Sequence, residues 1–266
     1  MAEFASDGYV MMKDFAGSAL RQLDPPGSAR LSLPKDGHGR LKSALPGDPA
    51  EPVAVSSNHH RTGAAATHAG RDALAWPWVR WFLSDGRLHA AIADLIGPAV
   101  AIAGRWFDKV PGANWQVPWH RDLLVPVAQR IDAPGWTGWC EKDGIAHARP
   151  PNAIGRARCT ARLHLDPVDA DGGALRIRPG SHHDPDRMQP AAEVVLPAAV
   201  GDLLLIHPWL LHASRPARTP TRRRVLHLEF CSMDPTPVSW HEPARSTAFA
   251  CEVGLRPPPE CSPCPM

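Results

Sequence analysis

A histidine and an aspartate stand two positions apart in Trp119-His120-Arg121-Asp122, and ninety residues after Asp122 comes Leu210-Leu211-His212-Ala213-Ser214. Residues i and i+2 of a β-strand point to the same side, so His120 and Asp122 on one strand would reach one metal ion. A histidine from a distant strand would complete a 2-His-1-carboxylate set. That set holds mononuclear iron(II) and leaves coordination positions open for a cosubstrate and oxygen. Spacing alone does not single these residues out, because the chain has two further His-x-Asp pairs, His164/Asp166 and His182/Asp184. The last lies in Pro179-Gly180-Ser181-His182-His183-Asp184-Pro185, a turn sequence that would not keep both side chains on one face. His164/Asp166, just ahead of Asp171-Gly172-Gly173, fits a metal as well as His120/Asp122 does. His207 competes with His212. Five residues separate them, so on one extended strand they would face opposite ways, although Pro208 interrupts that strand.

Stepping outward from these residues, composition describes what carries them. The chain has 266 residues, 44% hydrophobic and 21% charged, enough for one large domain with a sizeable core. A formal net charge of +2 gives no argument for nucleic acid or an acidic membrane surface as partner. The most apolar stretch, 88–104, contains Asp94 and is too short to cross a bilayer. The N-terminal residues include Glu3 and Asp7 and no apolar signal region, so a cytoplasmic protein is expected. Six scattered cysteines make no disulfide framework, and Cys261-Ser262-Pro263-Cys264, in a Pro-rich tail, is expected to be a frayed end.

The elements change character along the chain. Residues 9–12 read as a strand followed by a short helix. Residues 24–70 read as Pro-, Gly-, Ser- and His-rich loops, and 76–95 as a helix with Pro77 in its first turn. There Trp78, Trp81, Phe82, Leu88, Ile92 and Leu95 recur at helical spacing and are expected in the core. After Gly97-Pro98 come short apolar runs bounded by turns, at 100–107, 161–165, 174–177, 193–196, 203–206 and 225–230, the pattern of a β-sandwich or jelly roll. Residues 129–157 interrupt that series and read as an irregular insertion, a lid or substrate loop. One domain spanning 1–266 is expected, with 24–70 and 129–157 as insertions and 252–266 as a tail.

The order WHRD, RLHLDPVDADGGALRIRPGSHH, GDLLLIHPWLLHAS and RRVLHLEF resembles the phytanoyl-CoA dioxygenase-like (PhyH) family, from Gly8-Tyr9-Val10 to about Phe230. No single piece is specific, but four in order with the right gaps are. The resemblance implies a mainly β fold with flanking α-helices, a double-stranded β-helix (jelly roll, cupin-like). It implies iron(II), 2-oxoglutarate and O2 as cofactor and cosubstrates. Carried over residue by residue, it makes His120, Asp122 and His212 the metal ligands and leaves His182 and His183 in a structural turn. An arginine eleven residues after the distal histidine, here Arg223, would clamp the far carboxylate of 2-oxoglutarate, a task suited to a permanently charged, bidentate group. Ser214 matches a family serine that can hydrogen-bond the cosubstrate. Arg222 and Arg224 would face away as solvated charge.

Arg162 and His164 share one strand face, opposite Ala161, Leu163 and Leu165. If that face lines the interior, Arg162 would pair with a substrate carboxylate; if it faces outward, Arg162 is a surface charge. Trp136, Trp139, His147, Lys109, Gln116 and Arg149 are further candidates, the tryptophans more often serving packing than recognition. The implied reaction hydroxylates an unactivated C–H of a small, carboxylated metabolite, an amino-acid derivative or natural-product intermediate, while 2-oxoglutarate becomes succinate and CO2. Related halogenases replace the carboxylate ligand with a small residue, so Asp122 disfavours halogenation. Desaturation, epoxidation and cyclisation use the same ligands. Rival readings are a non-catalytic metal-binding protein on the same barrel and a zinc hydrolase. The second finds no HExxH and no histidine or thiolate cluster spaced for a closed zinc site.

Overall fold

The computed structural model describes residues 2–17, 20, 69–71, 73–186, 192–219 and 221–242. Most of the 24–70 segment and all of the CxxC tail lie outside the described residues. Two antiparallel sheets make the frame. The major sheet has the order β1-β11-β8-β13-β3-β2, built from β1 (Tyr9–Met12), β2 (Ala69–Gly70), β3 (Val100–Lys109), β8 (Arg158–His164), β11 (Leu203–Ile206) and β13 (Arg223–Cys231). The minor sheet has the order β10-β9-β12-β4, from β4 (Val117–His120), β9 (Leu175–Ile177), β10 (Val194–Leu196) and β12 (His212–Ser214). Leu204 and Ile206 of the major sheet pack against Leu175, Ile177 and Leu196 of the minor one, so the sheets face each other. The fold is the double-stranded β-helix that the strand pattern and resemblance implied.

The outer face of the major sheet carries the largest core. Leu226, Leu228 and Phe230 of β13, Leu163 of β8 and Trp106 of β3 bury themselves under α2 (Pro77–Leu83) and α3 (Gly86–Ile96). Trp106 meets Trp76 and Trp78 edge-on, at centroid distances of 5.5 and 6.0 Å, a favoured aromatic geometry. The expected single helix is two, because Asp85 caps a new one: its carboxylate accepts the Arg87 backbone N–H, satisfying a donor that the first turn leaves free. Gly97, at φ +84, ends α3 in a conformation that favours glycine. Trp81 departs from the helical-face expectation and is 39% exposed, whereas Trp78 and Phe82 are buried. Residues 2–7 add a short helix, α1 (Ala2–Asp7), which sequence did not reveal.

The irregular insertion expected at 129–157 is largely regular. β5 (Val125–Val127), β6 (Thr137–Lys142) and β7 (Ile145–Arg149) form a third sheet, ordered β5-β7-β6, followed by α4 (Asn152–Arg156). β6 and β7 turn through Asp143-Gly144, both at positive φ, the signature of a tight hairpin turn. The many aromatic and polar residues there obscured a hairpin in which only His147 and Ala148, both on β7, are buried.

Candidate metal centre and cosubstrate pocket

The inner face of the major sheet is polar, and its register explains why. Alternation that sends Leu226 and Leu228 outward sends Arg223, His227 and Glu229 inward. Cross-strand pairing then stacks rows: Lys109 beside Arg223, Phe107–Val225–His164, and Arg105–His227–Arg162. On the facing minor sheet, His212 stands directly opposite His120 on one side and Ile177 on the other.

His120, Asp122 and His212 converge: one ligand atom from each lies within 4.8 Å of the others. The His120 Nε2 is 3.9 Å from the Asp122 Oδ1, and the His212 Nε2 is 3.7 Å from its Oδ2. Each imidazole donates its Nδ1–H to a backbone carbonyl two residues earlier, Pro118 O and Leu210 O, both at 2.8 Å. That pairing leaves each Nε2 turned toward the Asp122 carboxylate, the arrangement that outer hydrogen bonds give to ligating histidines. Burial pushes the His212 imidazole down to about 3, with His120 adding, so it is neutral near pH 7. Burial opposes ionisation of Asp122, but the Arg105 guanidinium, with His212, His227 and His120, holds its carboxyl well below the usual range. Its Oδ2 is buried without a hydrogen-bond donor among the described residues. Two imidazole nitrogens and an orphaned carboxylate oxygen gathered at one point are a donor set that a divalent cation satisfies.

Two structural expectations about these residues need correction. His120 ends β4, and Asp122 lies in the loop beyond it, so the pair does not share a strand face. Asp122 is placed instead by its backbone: its N–H donates to Pro208 O at 2.8 Å, and its carbonyl accepts from Arg158 Nη2 at 2.7 Å. His207 and His212 do not share a strand either. Residues 207–211 form the turn from β11 to β12, and strand parity does not govern them. His207 Nδ1 accepts the Trp209 N–H at 3.0 Å, and its ring packs against His182 and Phe4, a structural position.

The other His-x-Asp pairs are also resolved. Asp166 receives the Arg224 guanidinium at 2.9 and 2.8 Å, while His164 turns inward, so they diverge. His182 sits against Ala5 O at 3.2 Å, and Asp184 accepts the Asp186 N–H at 3.1 Å within its own turn. Arg222 and Arg224 do face away from Arg223. They are paired rather than merely solvated, Arg222 holding Asp108 at 3.0 and 2.9 Å.

Several residues around the triad escaped sequence reasoning. Arg105 bridges Asp122 Oδ1 at 3.1 Å and Glu229 Oε1 at 2.6 Å. Arg158 lies 3.5 Å from the other Glu229 oxygen. Two cations and two carboxylates thus alternate in the interior, each compensating the other's desolvation. His227 Nε2 lies 3.6 Å from Asp122 Oδ2. Arg121, inside WHRD, donates to Ser181 O at 2.6 Å and to Trp209 O, while Ser181 Oγ accepts the Leu211 N–H at 2.9 Å. The Pro179–His182 turn is therefore pinned to the segment that presents His212. Only register and chain reversal bring these partners together, and one sequence carries no signal of that.

Farther along the same interior, Arg223 is buried and donates to Gly172 O at 3.2 Å and to Gly173 O. Burial lowers it to about 10, so it stays cationic. Lys109 reaches Ser214 Oγ at 3.3 Å, joining Ser214 to this end of the pocket. Arg162 has an Nε without a hydrogen-bond partner among the described residues and lies over the Phe107 ring at 5.9 Å. Burial and Arg223 lower it to about 9, while Asp122 opposes that shift. The remaining candidates go elsewhere. Trp136 is buried in a second core with Val125, Val127 and Ile154, and Trp139 stacks on it at 6.3 Å, so both serve packing. His147 donates its Nδ1–H to Ile145 O on its own strand, 2.9 Å away, and lines a cleft with Arg71, Arg105 and His241. Burial pushes it down to about 4. Arg149 pairs with Asp186 at the surface.

The family model described as phytanoyl-CoA dioxygenase (PhyH) matches residues 48–225, more than half of the chain. The chain belongs to the PhyH family. Solved structures share its fold at low identity. The AviO1 protein of Streptomyces viridochromogenes Tue57 is 20% identical, with a TM-score of 0.54 over 89% of this chain and 95% of that one. SnoN, described as a non-heme alpha-ketoglutarate-dependent epimerase from nogalamycin biosynthesis, is 18% identical, with a TM-score of 0.55 over 99% and 90%. HygX of Streptomyces hygroscopicus, solved with iron bound, is 15% identical, with a TM-score of 0.53 over 91% and 87%. As a PhyH member this chain is an oxygenase that uses iron(II), 2-oxoglutarate and O2 and acts on a small molecule. No helix among the described residues is long and apolar enough to cross a membrane.

Proposed function

We propose that this PhyH protein hydroxylates an unactivated C–H of a small, carboxylated metabolite, an amino-acid derivative or natural-product intermediate. One O2 oxygen enters the substrate and the other enters succinate, as 2-oxoglutarate loses CO2. The observation that carries the reading is the convergence of His120, Asp122 and His212, with the Asp122 Oδ2 buried and without a hydrogen-bond donor among the described residues. These three would hold iron(II), which when bound supplies the activation of O2 that a C–H of this strength demands.

The chain supplies position and charge. Arg223 and Ser214 would take the far carboxylate of 2-oxoglutarate, because a dianion in a dry pocket needs a cation that does not lose its proton. Arg162, a cation between that end and Asp122, would meet the substrate carboxylate and so fix which C–H faces the metal. The Arg105–Glu229–Arg158 network would keep Asp122 charged and oriented.

The test is succinate formation by the iron(II)-loaded protein over a panel of small carboxylates, with mass detection of the product. A gain of one oxygen that depends on 2-oxoglutarate supports hydroxylation. A product lighter by two hydrogens would replace it with desaturation or ring closure on the same ligands.

A further inference from the structure

Lys109 is a buried basic side chain that the triad and Arg223 leave unexplained. It ends β3 directly opposite Arg223 on β13 and is only 5% exposed. Its three N–H donors meet two neutral acceptors, Trp115 O at 2.5 Å and Ser214 Oγ at 3.3 Å, and it lies over the Trp115 ring at 4.8 Å. No ion pair joins it to a carboxylate among the described residues. The charged groups bearing on it are themselves cations, Arg223 and Arg162. Three basic side chains gathered in a dry interior, with no carboxylate paired to Lys109 among the described residues, describe an anion-binding end of the pocket, and Lys109 reaches the serine expected to line it.

We propose that Lys109 is a second anchor for the distal carboxylate of 2-oxoglutarate, and that cosubstrate binding draws a proton onto it. This rests on the reading that Arg223 faces that carboxylate. The sign follows from the surroundings. Burial, then Arg223 and Arg162, push Lys109 down to about 6, so near pH 7 it is largely neutral. A bound carboxylate reverses that balance and restores the ammonium. The other facing groups do not titrate in the same window. Arg223 on β13 and Arg162 on β8 lie at about 10 and about 9, His164 on β8 at about 3, and Ser214 and Trp115 carry no charge. Below about pH 6 affinity is therefore flat. Above it, binding requires proton uptake, and the Kd rises by up to about tenfold per pH unit until the bound-state value is passed.

The experiment is calorimetric titration of anaerobic, iron(II)-loaded protein with 2-oxoglutarate from pH 6 to 8, in buffers of different ionisation enthalpy. For the wild type, the Kd should rise at least about tenfold across that range, with roughly one proton taken up per ligand at the upper end. Lys109→Met should bind about tenfold or more weakly at pH 6 and show neither the slope nor the proton uptake. Lys109→Arg, charged throughout, should bind with no slope. A flat wild-type profile, or a Lys109→Met slope equal to the wild type's, overturns the proposal. Arg223→Met separates the two ideas. Binding that collapses there but ignores Lys109 leaves the cosubstrate reading standing and the Lys109 anchor refuted. Wild-type binding in Arg223→Met removes the reading itself.

Discussion

His120 and His212 are direct cross-strand partners whose ring centroids lie 4.1 Å apart, and such closeness is tolerable only for neutral rings or rings sharing a cation. Replacing His120, Asp122 or His212 by alanine should abolish 2-oxoglutarate-dependent succinate formation, while His207→Ala, which alters a structural ring, should keep bound iron. Arg223→Ala should raise the KM for 2-oxoglutarate by about 10- to 100-fold, the worth of a charge-assisted hydrogen bond, with a smaller change in kcat. Arg105→Met should leave Asp122 without its partner and weaken iron binding by about 10- to 100-fold, read by metal titration. The convergence of His120, Asp122 and His212 was legible in residue types set in a particular order, which also made Arg223 and Ser214 candidates. Arg105, Glu229 and His227 were not. They lie on strands where every second side chain turns inward, and which turn inward depends on packing against helices that one sequence does not position.

At the scale of elements, apolar runs and turns marked most strands to within a few residues. Those at 9–12 and 203–206 match the strand bounds themselves. What failed was the reading of elements whose partners decide their form. The β6–β7 hairpin read as a loop because only His147 and Ala148 of its two strands are buried, so no apolar alternation marks it. The His-x-Asp pair read as one strand because a loop held by Asp122 N–H to Pro208 O mimics the same two-residue spacing. These differences separate packing from recognition. Trp136→Ala should cost about 3–5 kcal/mol of stability in denaturant unfolding and leave the KM for 2-oxoglutarate unchanged. A raised KM with unchanged stability would return Trp136 to the pocket.

For the whole molecule, the apolar outer face and polar inner face of one sheet do different work. Leu226, Leu228 and Phe230 anchor the barrel, and the alternate residues of the same strand carry Arg223, His227 and Glu229 into the site. Stability and metal binding are therefore linked, since an ion that binds only the folded barrel stabilises it by mass action. Adding iron(II) or nickel(II) should raise the melting temperature of chelator-stripped protein, and His212→Ala should remove most of that rise. The most direct test of the central claim is anaerobic titration of the iron(II)-loaded protein with 2-oxoglutarate, followed by the visible charge-transfer band of a 2-oxoacid chelated to iron(II). The band should appear in the wild type, need far more 2-oxoglutarate in Arg223→Ala, and be absent in His212→Ala. A band of wild-type strength and midpoint in His212→Ala would contradict a centre built from His120, Asp122 and His212.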